Sequence, residues 1–266
     1  MKKILLAILL LNQLYSHDYW LHPQKFRLSK GDTLIVHLFV GDKLNKEIER
    51  EFQKNMTKKF ELITDETKFN LIDGLKDGTI PVLNRKVDFE GLGLILMERD
   101  FAYIELKPEE FQEYLEHENL DEIKEIWKKM GKRKVEKERY SRFLKSLIVS
   151  GSNFKGEVYK KVFGQKLEII LLQNPFELSV GDSMEAKILF EGKPLPYKTV
   201  MVYNQSSKDG KFTEQRIKTD KNGIVKFKLN SDGFWLIRLV HLLPCDKCKD
   251  VNWESFWASF SFEIRR

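Results

Sequence analysis

Between Phe26 and Asp42 the chain reads FRLSKGDTLIVHLFVGD, and its hydrophobicity alternates with a period of two. Leu34, Val36, Leu38 and Val40 fall on one side, Ile35, His37 and Phe39 on the other. That period belongs to a β-strand whose two faces meet different surroundings. Gly31-Asp32 and Gly41-Asp42 bound it as turns. KFELIT, KFNLID and GLGLILM follow as shorter strands separated by Gly, Asp, Asn and Pro, which is all-β spacing. From Lys166 the pattern returns in seven segments: LEIILLQ, FELSVGDSMEAKILFEG, KTVMVYNQ, EQRIKTD, IVKFKLN, FWLIRLVHL and FWASFSFEI. Lys221-Asn222-Gly223 is expected to be a hairpin turn, because Asn-Gly tolerates positive φ. Seven short strands at this spacing predict an immunoglobulin-like β-sandwich.

The middle of the chain changes period. Pro108 opens a helix at a position where a missing N–H costs nothing, and Phe111, Tyr114 and Leu115 share one face. Asn119 breaks it. Asp121 is expected to cap a second helix carrying Ile123, Ile126, Trp127 and Met130, which Gly131 stops. A third helix is expected from about Lys134 to Val149, with Val135, Tyr140, Phe143, Leu144, Leu147 and Ile148 as its buried stripe. The chain thus divides into residues 1–16, an N-terminal β unit over 17–106, a helical segment over 107–150 and a C-terminal sandwich over 151–266. Phe26-Arg-Leu-Ser-Lys-Gly-Asp and Phe176-Glu-Leu-Ser-Val-Gly-Asp agree at five of seven positions, each ahead of an apolar-rich strand. Such self-similarity points to two related units. The expected fold class is mostly β with a helical insertion, built from one or two sandwich units.

Residues 1–16 read as a secretory signal peptide. Met1-Lys2-Lys3 is a short positive head, Ile4 to Leu11 is apolar, and Asn12 to Ser16 is a more polar tail ending in a small residue. The apolar run is shorter than the about 20 residues a membrane-spanning helix needs. Contact with the membrane is therefore expected only through this leader before cleavage. Cleavage after Ser16 would make His17 the first residue of the mature protein. The formal charge of +6 comes from 46 basic and 40 acidic residues mixed along the chain, which predicts a charged, soluble surface. Nucleic-acid binding would need basic residues clustered with aromatics, and export argues against it.

No G-x-S-x-G elbow, phosphate loop, G-x-G-x-x-G or H-E-x-x-H occurs, so no enzyme is expected. Cys245 and Cys248 are the two cysteines, spaced CxxC. A short-loop disulfide is the default in an oxidising compartment, and a metal pair is the alternative. The five histidines carry more information. His17 and His22 flank HDYWLH, His37 lies on a strand, His241 ends FWLIRLVHL, and His117 sits on an acidic helix where solvation is expected. A leading His17 would offer its α-amine, with an unperturbed pKa of about 8, and its imidazole to one metal ion. Nitrogen donors suit nickel, cobalt, copper and zinc, and His22, His37 or His241 could add a second imidazole.

The ordered set of motifs resembles a family of exported bacterial proteins of unknown function labelled as the periplasmic component of cobalt or nickel uptake systems. HDYWLHP resembles the family's opening and FRLSKGDTLIVHLFVGD its first hairpin. FQEYLEHENLDEI and ERYSRFLKSLIVSG resemble its middle. LEIILLQNPFELSVGD, EGKPLPYKTVMV, TDKNGIVKF, GFWLIRLVHL and NWESFWASFSFE resemble its closing part, in order. PCDKCK departs from the pattern. The resemblance implies an immunoglobulin-like or carboxypeptidase-regulatory-like β fold, a periplasmic location and a role in metal uptake. His17 and His241 are the histidines it implies as ligands, with His22 as a further one. The expected function is binding of a divalent transition metal (nickel, cobalt or copper) and its delivery to a membrane transporter. A metal-free envelope scaffold or adhesion module is the alternative, and an enzyme acting on envelope polymers ranks last.

Overall fold

The computed structural model describes residues 17–131 and 133–265, so the expected signal peptide lies outside the described residues. In chain order the strands of the first half are β1 (Asp18–Pro23), β2 (Arg27–Leu28), β3 (Thr33–Gly41), β4 (Ile48–Glu49), β5 (Thr57–Ile63), β6 (Lys68–Asn70), β7 (Leu83–Lys86) and β8 (Gly91–Leu106). Helices α1 (Pro108–His117) and α2 (Asp121–Lys129) follow, and then β9 (Glu136–Ser150). The second half holds β10 (Leu167–Leu171), β11 (Ser183–Phe190), β12 (Lys193–Pro194), β13 (Thr199–Gln205), β14 (Phe212–Lys218), β15 (Ile224–Lys228), β16 (Gly233–Pro244) and β17 (Trp253–Ile264). The protein is mostly β, a β-sandwich architecture with a small helical insertion.

The alternation in β3 places Leu34, Val36, Leu38 and Val40 in the core, with half-buried residues between them. The echo at Phe26 and Phe176 is a shared structural device. Ser29 N–H donates to Asp32 Oδ2 at 3.0 Å, and Ser179 N–H to Asp182 Oδ2 at 2.8 Å. Gly31 N–H donates to Val87 O as Gly181 N–H donates to Leu229 O, and the return bonds run from Val87 N–H to Asp32 O and from Leu229 N–H to Asp182 O. Both glycines hold positive φ, +91° and +103°. A Cβ at either would meet nothing within 4 Å, so a substitution there strains only the backbone. Gly31→Ala and Gly181→Ala are each expected to cost about 1–2 kcal/mol of stability, read from urea midpoints.

The repetition extends to the whole topology. β3 pairs with β1, β4 and β7; β11 pairs with β10, β12 and β15 in the same arrangement. β5 pairs with β6 and β8, and β8 with β9; β13 pairs with β14 and β16, and β16 with β17. Apart from β2, every strand up to Ser150 thus has a counterpart after it. The two halves join where β9 and β17 pair in parallel, giving one nine-stranded sheet in the order β14-β13-β16-β17-β9-β8-β5-β6, with β2 beside β9.

The four-stranded sheet containing β1 rests on one face of the large sheet. There Ser259 Oγ donates to Tyr19 O and Ser261 Oγ to Leu21 O. The four-stranded sheet containing β10 rests on the other face, where buried Lys145 Nζ donates to Glu168 Oε1 at 2.6 Å and Ile169 O at 3.1 Å. β9 is therefore covered on both sides. Leu144, Leu147, Ile148 and Val149 are all at most 1 % exposed.

Three expectations are corrected. Residues 136–150 form β9 and not a third helix, so within the expected helical segment 107–150 the helices end at Lys129. The Lys221-Asn222-Gly223 turn forms, with Gly223 at φ +73°, but it joins β14 to β15, which lie in different sheets. α2 has Leu120 at its N-cap and Asp121 as its first residue, where an acid still favours the helix dipole. α1 and α2 cover the large sheet beside the β1 sheet. Phe111, Tyr114, Leu115 and Ile123 pack on Val240, Leu242, Trp253 and Trp257.

Candidate functional site

β1 begins at a buried charge cluster. Asp18 is 2 % exposed, Glu118 at the end of α1 is 3 % exposed, and Arg238 in β16 is 3 % exposed. Arg238 Nε donates to Asp18 Oδ1, Nη1 to Glu118 Oε2, and Nη2 to Glu118 Oε1 at 2.8 Å. Lys43 N–H adds a bond to Asp18 Oδ2 at 3.3 Å. Burial raises the Asp18 carboxyl to about 6, against the pull of Arg238. Burial would lower the Arg238 value, but Asp18 and Glu118 raise it well above that of an ordinary arginine, so the guanidinium stays charged. A helix end, a sheet centre and the first strand are thereby tied at one point.

His17 precedes this clamp. Its Nδ1 lies 3.0 Å from Glu47 Oε2, and its side chain is 13 % exposed. His117 was expected to be solvated. Instead its Nδ1 is 3.1 Å from Glu118 Oε1 and its Nε2 is 3.5 Å from Asp42 Oδ1, and the hydrogen bond to Glu118 raises its pKa.

His22 and His37 face each other across β1 and β3. The His22 ring packs 4.5 Å from the Phe234 ring and 5.7 Å from that of Phe39. Burial, then the charges of Lys46 and His37, lowers its pKa to about 3, so it is a neutral imidazole whose Nε2 lies 3.2 Å from Lys46 Nζ. His37 Nδ1 lies 2.7 Å from Glu49 Oε1, and its ring stacks on Phe39. His241 sits edge-on to Phe190, 6 % exposed, and burial followed by the Lys198 charge lowers its pKa to about 4.

The structure does not bring His17, His22 and His241 to one point. His17 stands just ahead of β1 and His22 lies within it, five residues on, about 17 Å along extended chain. His241 and Arg238 are three apart on β16 and face opposite sides. Because Arg238 holds Asp18, His241 lies across the sheet from the start of β1. Among the described residues no group of three or more His, Cys, Asp or Glu side chains gathers in a way that could hold a metal ion. What His17 does meet is a carboxylate, Glu47, which no sequence motif marked.

Arg238 was also missed. Its one sequence trace is a lone charge inside the apolar run FWLIRLVHL. Cys245 and Cys248 are joined by a disulfide in the loop between β16 and β17.

A family model described as Domain of unknown function (DUF4198) matches residues 14–242. This bears out the resemblance at the level of an uncharacterised family and says nothing of cobalt or nickel. No curated protein matches the chain.

Proposed function

This chain belongs to the family described as Domain of unknown function (DUF4198), and from that premise we propose that it is a periplasmic binding protein for a divalent transition metal, nickel, cobalt or copper. The metal is cargo, taken up by the matured protein and passed to a membrane transporter. The observation that carries this reading is the 3.0 Å approach of Glu47 Oε2 to Nδ1 of His17. Nδ1 is the ring nitrogen that closes a chelate with the residue's own α-amine. Removal of residues 1–16 would free that amine, giving two nitrogens and one carboxylate oxygen around a shared position. The Asp18–Arg238 contact holds the adjacent backbone, so the pincer starts from a fixed point.

Three protein donors leave the remaining positions to water or to a receiving ligand. That suits a carrier that must release its cargo, whereas closed structural sites use four protein ligands. Copper would bind tightest of the three by intrinsic affinity, and availability would decide the cargo in the cell. His22 and His241 are outside this set. His22 is engaged by Lys46 and three phenylalanine rings, and His241 is across the sheet.

Calorimetric titration of protein beginning at His17 tests the reading. Placing Ser16 back in front, or changing Glu47→Ala, is expected to weaken nickel and copper binding by about tenfold or more, the weight of one good donor. His241→Ala should leave affinity unchanged. Equal affinity with and without the extra residue would remove the amine chelate.

A further inference from the structure

Arg99 on β8 and Arg142 on β9 are direct partners in the strand register. Like charges placed opposite each other are unfavourable unless something else satisfies them. Among the described residues neither guanidinium sits in an ion pair, and the one side-chain hydrogen bond between them is from Arg99 Nη2 to Gln53 Oε1 at 2.6 Å. Both press on the Tyr19 ring, with guanidinium carbons 5.7 Å and 4.6 Å from its centroid for Arg99 and Arg142. Arg99 is 8 % exposed. Arg50 adds further positive charge near Arg99.

Three buried donors here lack an acceptor: Arg99 Nη1, Arg142 Nε and the Tyr19 hydroxyl. Buried donors without partners are rare and call for a reason. Glu138 is the acid whose charge is felt by Arg142, but its carboxyl is engaged by the Ser255 and Tyr114 hydroxyls, and among the described residues no hydrogen bond or ion pair joins it to Arg142. The group therefore offers hydrogens and positive charge and lacks the lone pairs to match them. A carboxylate or phosphate supplies what is missing, because planar guanidinium groups bind such oxygens through charge-assisted, often paired, hydrogen bonds.

We infer that Arg99, Arg142 and Tyr19 form a binding site for a small oxyanion, either a carboxylate or a phosphate. The site uses neither His17 nor Glu47 and does not rest on the metal reading. Arg142 is half-buried and gives the anion its approach, while Arg99 is the deep end. Tyr19 supplies a neutral donor and a ring that fixes both guanidinium groups.

The test uses protein beginning at Ser16, which blocks the proposed metal chelate, in buffer freed of metal by a chelating resin so that no carboxylate chelator competes. Inorganic phosphate and malonate are titrated separately at low ionic strength, with chloride as the control anion. Saturable, salt-sensitive binding of either oxyanion is expected, and the arm that responds names the source. Tyr19→Phe keeps the ring and both charges and should weaken binding about 3–10-fold through loss of one donor. Arg142→Gln should weaken it by about tenfold or more, and Arg142→Lys should restore part of the loss. If neither anion binds at millimolar concentration, water fills the site and the inference fails. It fails equally if folded Tyr19→Phe and Arg142→Gln proteins both bind as well as the parent. Should Arg142→Gln not fold, the Tyr19→Phe comparison decides alone.

Discussion

Arg238→Met is expected to cost about 3–5 kcal/mol of folding stability at neutral pH, the usual penalty for removing one partner of a buried ion cluster. Methionine is flexible and close to the aliphatic volume of arginine, so lost packing is a small part of the effect. The large part is electrostatic. Asp18 and Glu118 are each at most 3 % exposed, and their carboxylates face the same guanidinium. Without it, two negative charges remain in a space closed by α1, β1 and the large sheet. They must take up protons or break the packing. The loss should therefore shrink as pH falls below the range in which the orphaned carboxyls ionise. Adding Asp18→Asn and Glu118→Gln to Arg238→Met should recover much of the stability, since the charges that needed pairing are gone. Urea unfolding of the single and triple variants at two pH values measures this. A midpoint unmoved in Arg238→Met would mean that water reaches the carboxylates and that the clamp does not anchor β1.

What the sequence discloses here follows from how many faces of a strand are covered. β3 meets the core with one side and half-buried surroundings with the other, and its period of two is plain. β9 is covered by a sheet on each face, so RFLKSLIVS carries no alternation and its apolar residues fall by chance at spacings of three and four. Spacing of that kind imitates a buried helical stripe. The true helices were legible because they lie on the surface, where one stripe is buried and the rest is solvated. The Phe26 and Phe176 echo was legible because the turn needs Ser, Gly and Asp at fixed offsets, whatever the strands around it do. The candidate site was legible only in part. His17 stands out by its place after the expected leader, but its neighbour Glu47 arrives through the register of β3 with β4. Whether His241 could reach His17 depended on which face of β16 looks toward β1, a fact set by the joining of two sandwiches. The Arg99–Arg142 opposition likewise depends on a register that shifts between Arg99 and Ala102.

Glu138 should make the wild-type protein lose stability as the pH rises through neutrality. Its carboxyl is 3 % exposed, and burial raises its pKa from 4.5 to about 7, although the Ser255 hydroxyl, the Arg142 charge and Tyr114 all act to lower it. These groups come from the elements packed around it: Ser255 from β17, Tyr114 from α1 and Arg142 from β9 itself. In the unfolded chain the carboxyl releases its proton near 4.5; in the folded protein it keeps it until about 7. The folded state thus binds more protons between these values, and stability falls with rising pH in that window. The contribution is fully present below pH 4.5 and is lost on passing through 7, a difference of about 3 kcal/mol at one pKa unit per ~1.4 kcal/mol. Glu138→Gln keeps the shape and the acceptor for Ser255 and removes the titration. It should match wild type near pH 4.5 and be the more stable protein at pH 8 by about 3 kcal/mol. Unfolding midpoints across this range for both proteins decide the matter, because parallel curves would place the Glu138 carboxylate in contact with water and its proton outside the folding equilibrium.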